Sequence, residues 1–193
     1  MIGAMSGAPG DVTQLLIEFG RGDGAALERL MPLVYDELHQ LARSHRYRWR
    51  GHEAAPGTTS IVHEAYLRLV DQDHVDWRSR SQFYCIASRA MRSVLVDNAR
   101  AHGAHKRGGD RRRVSTDDVV LVSRERSQEL IDLDEALTRL AAADEELGSV
   151  VECRFFGGLT VEETAAALSM SPATVKRRWS LAQAWLYKEL KGD

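Results

Sequence analysis

Lys176, Arg177 and Ser180 stand on one side of a stretch whose other side is apolar: Val175, Trp179, Ala182, Leu186 and Leu190 recur at i, i+4, i+7, i+11 and i+15. That spacing makes a helix with a buried stripe and leaves two cations and a hydroxyl exposed near its N-terminus. Lysine and arginine so placed can donate to guanine O6 and N7 or to phosphate, and serine can adapt to either. Thr174 and Arg178 are placed to hold a phosphate backbone. The helix N-terminus, with Ser171 as cap and Pro172 in the first turn, itself favours an anion. Just upstream, Thr160 and Glu163 read as a capping box opening a short helix through Leu168, and residues 169–171 break the pattern. Two helices about a tight turn, the second basic in its exposed half, form a helix-turn-helix that suits the major groove of DNA. An αα-corner with a solvated basic face has the same pattern.

A second cationic group lies in the middle of the chain. Arg89, Arg92, Arg100, Lys106, Arg107, Arg111, Arg112 and Arg113 crowd one stretch, opposed by Asp97 and Asp110 alone. Phe83, Ile86, Ala87, Ala90, Met91, Val94 and Leu95 are the buried face of a long helix there, with Ser81 as its expected cap. The scarcity of acidic partners favours contact with a polyanion over a merely solvated face. A third stretch, 43–50, interleaves Arg46, Arg48 and Arg50 with Tyr47 and Trp49. Rings stack on bases while guanidinium groups neutralise phosphates, which suits single-stranded nucleic acid. A helix end packing its rings back on the domain fits equally.

Other chemistries fail on their residues. His63-Glu64 begins like a zinc-protease signature, but Leu67 stands where the second histidine is needed. No nucleophile–base pair, metal cluster or phosphate loop emerges, so an enzyme is the least favoured class, and neither a metal nor a cofactor is expected. Cys85 and Cys153 lie in helix-like apolar patterns without a nearby Cys or His and read as reduced core residues. No apolar run is long enough for a membrane span and no signal segment is evident, which points to a cytoplasmic protein. The net charge of −2 over 193 residues hides a segregation: residues 117–146 are rich in Asp and Glu, beside the basic tract. The local field decides where phosphates dock.

The elements that position these groups are helices. Residues 1–10 read as a loose tail, Asp11 as the cap of a first helix, and Pro32 as a kink or restart in the next pattern. Thr58, Thr59 or Ser60 caps a helix carrying Ile61, Val62, Ala65, Tyr66 and Leu69 on its apolar face. Residues 71–82 form a polar loop holding Trp77, Arg78 and Arg80. Residues 114–128 lack helical periodicity and read as a linker, 119–122 alone hinting at alternation. Helical patterns at 131–140 and 146–156 lead to Gly157-Gly158 and the helix-turn-helix. The expected fold is all-α, two small helical domains joined by a flexible linker.

Laid out in this order, the chain resembles the extracytoplasmic-function (ECF) sigma factors of bacterial RNA polymerase, from about Asp11 to Lys191. The resemblance implies a region 2 at 11–112, a linker at 113–128 and a region 4 at 129–193. TTSIVHEAYLRLV (58–70) is similar to the helix that binds the clamp helices of the largest polymerase subunit, which implies contacts from Ile61, Glu64, Tyr66, Leu67, Arg68 and Asp71. The stretch 77–109 resembles the part that melts and reads the −10 element. It implies roles there for Trp77, Arg78, Arg80, Phe83, Tyr84, Arg89, Arg92, Asn98, Arg100, Lys106 and Arg107, the rings serving an unpaired base. SPATVKRRWSLAQAWLYKEL (171–190) resembles the −35 recognition helix, implying Ser171, Thr174, Lys176, Arg177, Arg178 and Ser180, and the family also contacts the polymerase flap. The acidic linker would occupy a basic channel of polymerase. Two departures stand out: Thr58, Thr59 and Ser60 replace an acidic run, and Arg92-Ser93 replaces Arg-Asn. Relatives with hydroxyls at the first place are linked to Ser/Thr kinases, so phosphorylation of Thr58, Thr59 or Ser60 is expected to supply the missing charge. An anti-sigma factor is a further possible partner. The rival classes are a stand-alone helix-turn-helix regulator and an RNA-binding factor.

Overall fold

In a computed structural model of the chain, the residues described are 9–48, 56–70, 77, 79–105 and 117–192. Their regular structure is helical: α1 (Pro9–Gly20), α2 (Gly24–Arg48), α3 (Thr58–Val70), α4 (Arg80–His105), α5 (Asp117–Ala143), α6 (Glu145–Val151), a π-turn (Glu152–Phe156), α7 (Val161–Leu168) and α8 (Pro172–Lys191). The all-α expectation holds among these residues. No described helix is long and apolar enough to cross a membrane.

Several boundaries differ from the sequence reading for local reasons. The first helix starts at Pro9, so Asp11 sits in its first turn rather than capping it. Pro32 neither kinks α2 apart nor restarts it, lying on the exposed side of one continuous helix to Arg48. The α4 cap is Ser79, whose Oγ accepts from the Gln82 amide at 3.1 Å, and not Ser81. On α3 the Ile61 amide donates to the Gly57 carbonyl at 3.0 Å, which leaves Thr58, Thr59 and Ser60 as first-turn residues.

The larger difference lies at the expected linker. From Asp117 onward it is helix, continuous with the amphipathic stretch through Leu130, Leu137 and Leu140, so 119–122 is helical too. Residues 113–116 lie outside the described set. The C-terminal helices pack on α4: Leu130, Cys153 and Leu159 are buried in the same cluster as Leu16, Leu38, Ile61, Phe83 and Met91. A second cluster joins Leu137, Leu147, Val151, Phe156 and Ala182, and a third joins Val150, Ala165 and Val175. At Gly148 a Cβ would stand 2.8 Å from the Ala141 Cβ, so glycine lets α6 fold back against α5. The apolar stripes were readable as faces, but their partner across the molecule was not.

Candidate nucleic-acid interface

The helix-turn-helix forms as its capping residues dictate. Thr160 Oγ1 accepts from the Glu163 amide at 3.1 Å while Glu163 Oε2 accepts from the Thr160 amide at 2.7 Å, a complete capping box. Ser169 turns the chain in the left-handed region, with φ of 54°. Ser171 Oγ accepts from the Thr174 amide at 3.1 Å, and Pro172 opens α8. Val175 and Ala182 are fully buried, fixing which face of α8 points inward, with Trp179 and Leu186 half-buried beside them. Leu190, expected to extend the stripe, is instead exposed.

Lys176, Arg177, Ser180 and Ser171 are exposed on the outer face. Thr174 is half-buried, its hydroxyl 2.8 Å from that of Ser171. Arg178 departs from its expected role on a phosphate backbone: it is paired within the protein to Asp144 at 3.0 Å and to Glu146. Asp144 also caps α6 by accepting from the Leu147 amide, and that bond, with the lesser contribution of Arg178, holds its carboxyl below the ordinary range. Arg178 thus ties the recognition helix to the start of α6.

The second cationic group is divided by the fold. Arg89 and Arg100 are exposed on α4, Arg100 with one ion pair to Asp134 at 3.2 Å, and Asn98 is half-buried. Arg78, Lys106 and Arg107 lie outside the described residues. Four expected −10 contacts are buried, and a fifth, Arg80, is taken up by an internal ion pair. Trp77, Phe83 and Tyr84 are buried, Trp77 with its ring centroid 5.9 Å from that of Phe83, so these rings are core and not a surface for a base. Burial raises the Tyr84 hydroxyl to about 12. Arg80 pairs with the buried Glu37 at 2.8 Å. Arg92, only 8 % exposed, pairs with Asp134 of α5 and Glu152 of the π-turn, its guanidinium 5.2 Å from the Phe156 ring centroid. Helical spacing put Arg92 beside the basic face. The docking of α5 and the π-turn, which sequence did not reveal, covers it.

The same seam takes up two residues of 43–50, His45 and Arg48. His45 is buried, 3.0 Å from the Ser88 hydroxyl and stacked on Phe156, and burial, then Arg48 and Arg92, lower it to about 3. Arg48 lies over the Phe155 ring and donates to the Phe155 carbonyl. Arg46 and Tyr47 are exposed, and Trp49 and Arg50 lie outside the described residues. Burial raises the Glu152 carboxyl, with Arg92 pulling against it. The cysteines also meet here. Both are buried as expected, but Cys85 and Cys153 form a disulfide, with Cα atoms 4.8 Å apart although the two stand 68 positions apart in sequence. Neither was near a partner until α4 and the π-turn came together.

On α3, Glu64 and Leu67 are exposed and Tyr66 is half-buried. Ile61, expected to touch polymerase, is fully buried beneath them. Arg68 is held by Asp97 at 2.7 Å and by Ser93, and Asp71 lies outside the described residues. Thr59 and Ser60 are exposed and Thr58 half-buried in the helix's first turn. Tyr35, Thr59, Val62, His63 and Tyr66 line a groove of about 590 Å³ between α2 and α3.

No curated protein matches the chain. A family model described as ECF sigma factor matches residues 9–192, almost the whole chain, in keeping with its all-helical build and exposed helix-turn-helix. On that match the chain belongs to the ECF sigma factor family, proteins that serve RNA polymerase in transcription initiation.

Proposed function

We propose that this chain binds core RNA polymerase, recognises −35 and −10 promoter elements and helps to open the DNA, without covalent chemistry of its own. The observation that carries the reading is α8: a capped helix with Val175 and Ala182 buried and Lys176, Arg177 and Ser180 facing outward. In the −35 major groove Lys176 and Arg177 donate to base edges or phosphate, while Ser171 and Thr174 meet the backbone at the helix N-terminus. The −10 contact falls to Arg89, Asn98 and Arg100, with Arg78, Lys106 and Arg107 from flanking sequence. Region 2 is assigned to 11–112 and region 4 to 129–193.

Polymerase clamp helices would meet the outer face of α3 through Glu64, Tyr66 and Leu67. A phosphate on Thr58, Thr59 or Ser60 would stand at the positive end of that helix and add the acidic charge the stretch lacks, which makes a Ser/Thr kinase the regulator of this reading. The exposed apolar residues Leu181, Tyr187 and Leu190 of α8 suit the polymerase flap or an anti-sigma factor.

The decisive experiment adds the purified chain to sigma-free core polymerase and maps transcription starts. Defined starts support the reading, whereas tight duplex binding as a dimer without polymerase would favour a stand-alone regulator. Arg177→Ala should lose sequence preference at −35, with a cost of about 1–3 kcal/mol in binding. An unchanged footprint at equal affinity would remove Arg177 from that role. Equal polymerase binding by kinase-treated and untreated chains would remove the phosphorylation proposal.

A further inference from the structure

Several of the groups that hold the C-terminal helices on α4 meet at one seam. The π-turn aims Glu152, Cys153 and Phe156 together at α4 and α2, where they meet Arg92, Cys85 and His45. This closed arrangement cannot serve two promoter elements at once. A folded chain of 193 residues has a radius of gyration of roughly 16 Å and so measures roughly 40 Å across. Sites at −35 and −10 are separated by nearly two and a half duplex turns, on the order of 80 Å. The seam must part for α4 and α8 to reach both. Ion pairs and apolar packing can part and re-form, but a disulfide across the same seam cannot.

We propose that the Cys85–Cys153 bond is a redox latch: formed, it holds the chain closed and unable to initiate; reduced by a dithiol, it lets the chain open. The inference rests on the sigma-factor reading. Polymerase acts in a compartment where thiols are kept reduced, and disulfides there are usually transient and redox-sensing. The rest of the seam is conditional without the bond, because Arg92 Nε and Glu152 Oε2 are buried with no protein partner. The cysteines stand 68 positions apart in sequence, one on α4 and one in the π-turn, so the bond ties together the two sides of the seam covalently.

Cys85 is 8 % exposed and Cys153 is wholly buried, so a reductant thiolate enters at Cys85 Sγ. A mixed disulfide forms there as the Cys85–Cys153 bond breaks, and Cys153 Sγ leaves with the electron pair and takes up a proton. The reductant's second thiol then displaces Cys85. The protein ends with two thiols and the dithiol as its own disulfide. Glutathione disulfide runs the exchange backwards, leaving as two glutathione thiols.

The test uses the full chain, wild type and the Cys85→Ala/Cys153→Ala double variant, each treated with dithiothreitol or glutathione disulfide, with thiols counted by alkylation and mass. Initiation with core polymerase is measured on templates selected with the reduced wild type, and hydrogen exchange is followed across α4 and the π-turn. Oxidised wild type should initiate at least about tenfold less than reduced and exchange more slowly at the seam, while the double variant ignores the treatment. Equal initiation and equal exchange by oxidised and reduced wild type overturn the latch, as does failure of glutathione disulfide to form the bond. If no form initiates yet oxidation still slows exchange at the seam, the sigma-factor reading falls and the covalent closure stands. Because oxidised and reduced wild type are one polypeptide, a poorly folding variant leaves the comparison intact.

Discussion

Arg92 of α4 and Arg177 of α8 look alike in sequence, each an arginine beside further cations on an amphipathic helix. In the structure they are opposites. Arg177 faces outward, while Arg92 is closed in by Asp134, Glu152 and Phe156. The difference is not in the helix that carries each residue but in what lies across from it. On α8 one face is filled by α5, α6 and α7 and the other is left uncovered. On α4 the apolar face is filled by α1–α3, and the adjoining side receives α5 and the π-turn. An arginine on a shared seam stabilises an arrangement of helices. One on an uncovered face is available to a partner.

Truncation should separate the two most sharply. Arg92→Ala leaves Glu152 buried without its cation and Asp134 with Arg100 alone, and should lower unfolding free energy by about 3–5 kcal/mol in a denaturant titration. Arg177→Ala should stay within about 0.5 kcal/mol of wild type in the same measurement. Because the Glu152 carboxyl is already raised by burial, the Arg92→Ala loss should shrink in acid, where that carboxyl can take a proton. A loss under 1 kcal/mol at neutral pH would mean that the seam is open in solution.

The seam should also titrate in a way that α8 does not. His45 is held neutral down to about 3, below its ordinary 6.5. Between those values the unfolded chain binds the extra proton, so stability is full above pH 6.5 and falls as pH drops, by at most about 1.4 kcal/mol per pH unit from this group. Glu152 works in the opposite sense: its raised carboxyl adds stability as pH falls through its folded value and loses it as pH rises. His45→Gln should flatten the acid loss in urea titrations at a series of pH values. The same slope in the variant would show that His45 is already solvated.

A smaller contrast lies within α8 itself. Arg178→Ala removes the tie to Asp144 and Glu146 on a partly exposed surface and should cost about 0.2–1 kcal/mol of stability. It should weaken −35 binding without changing base preference, unlike Arg177→Ala. A changed preference would put Arg178 on the bases after all.

These contrasts mark what was legible. Caps and stripes are local, so the capping box at Thr160 and Glu163, the Ser171-Pro172 start and the inward face at Val175 and Ala182 were readable from spacing. The outward face of α8 was readable with them. The burial of Arg92, Trp77 and Tyr84 and the pairing of Arg80 with Glu37 were not, because each depends on residues distant in sequence. Cys85 and Cys153 show the limit most plainly: each pattern marks a buried cysteine, and only tertiary contact makes the pair. The helix from Asp117 was missed because its early part lacks a periodic apolar face, and it is the continuity with Leu130–Leu140 that reveals it.

The smallest expected effect tests whether the turn before α8 acts as a fixed hinge or merely as a connection. Ser169 holds φ 54° and ψ 40°, a conformation that a residue with a Cβ adopts at a cost, while its amide still donates to the Ala165 carbonyl and the Met170 amide does likewise. Glycine removes the steric cost but adds freedom to the unfolded chain, and these terms oppose each other. The exposed serine makes no side-chain contact that glycine would forfeit among the hydrogen bonds seen at this turn. Ser169→Gly should therefore shift unfolding free energy upward by no more than about 1 kcal/mol, whereas Ser169→Val, β-branched and unable to take this φ cheaply, should lower it by about 1–2 kcal/mol. If the turn sets the angle of α8, the valine variant should also lose affinity for −35 DNA while the glycine variant keeps it. Equal stability and equal DNA affinity in both would mean that the turn is free to adopt another conformation, and that the packing of Val175 and Ala182 alone holds the recognition helix in place.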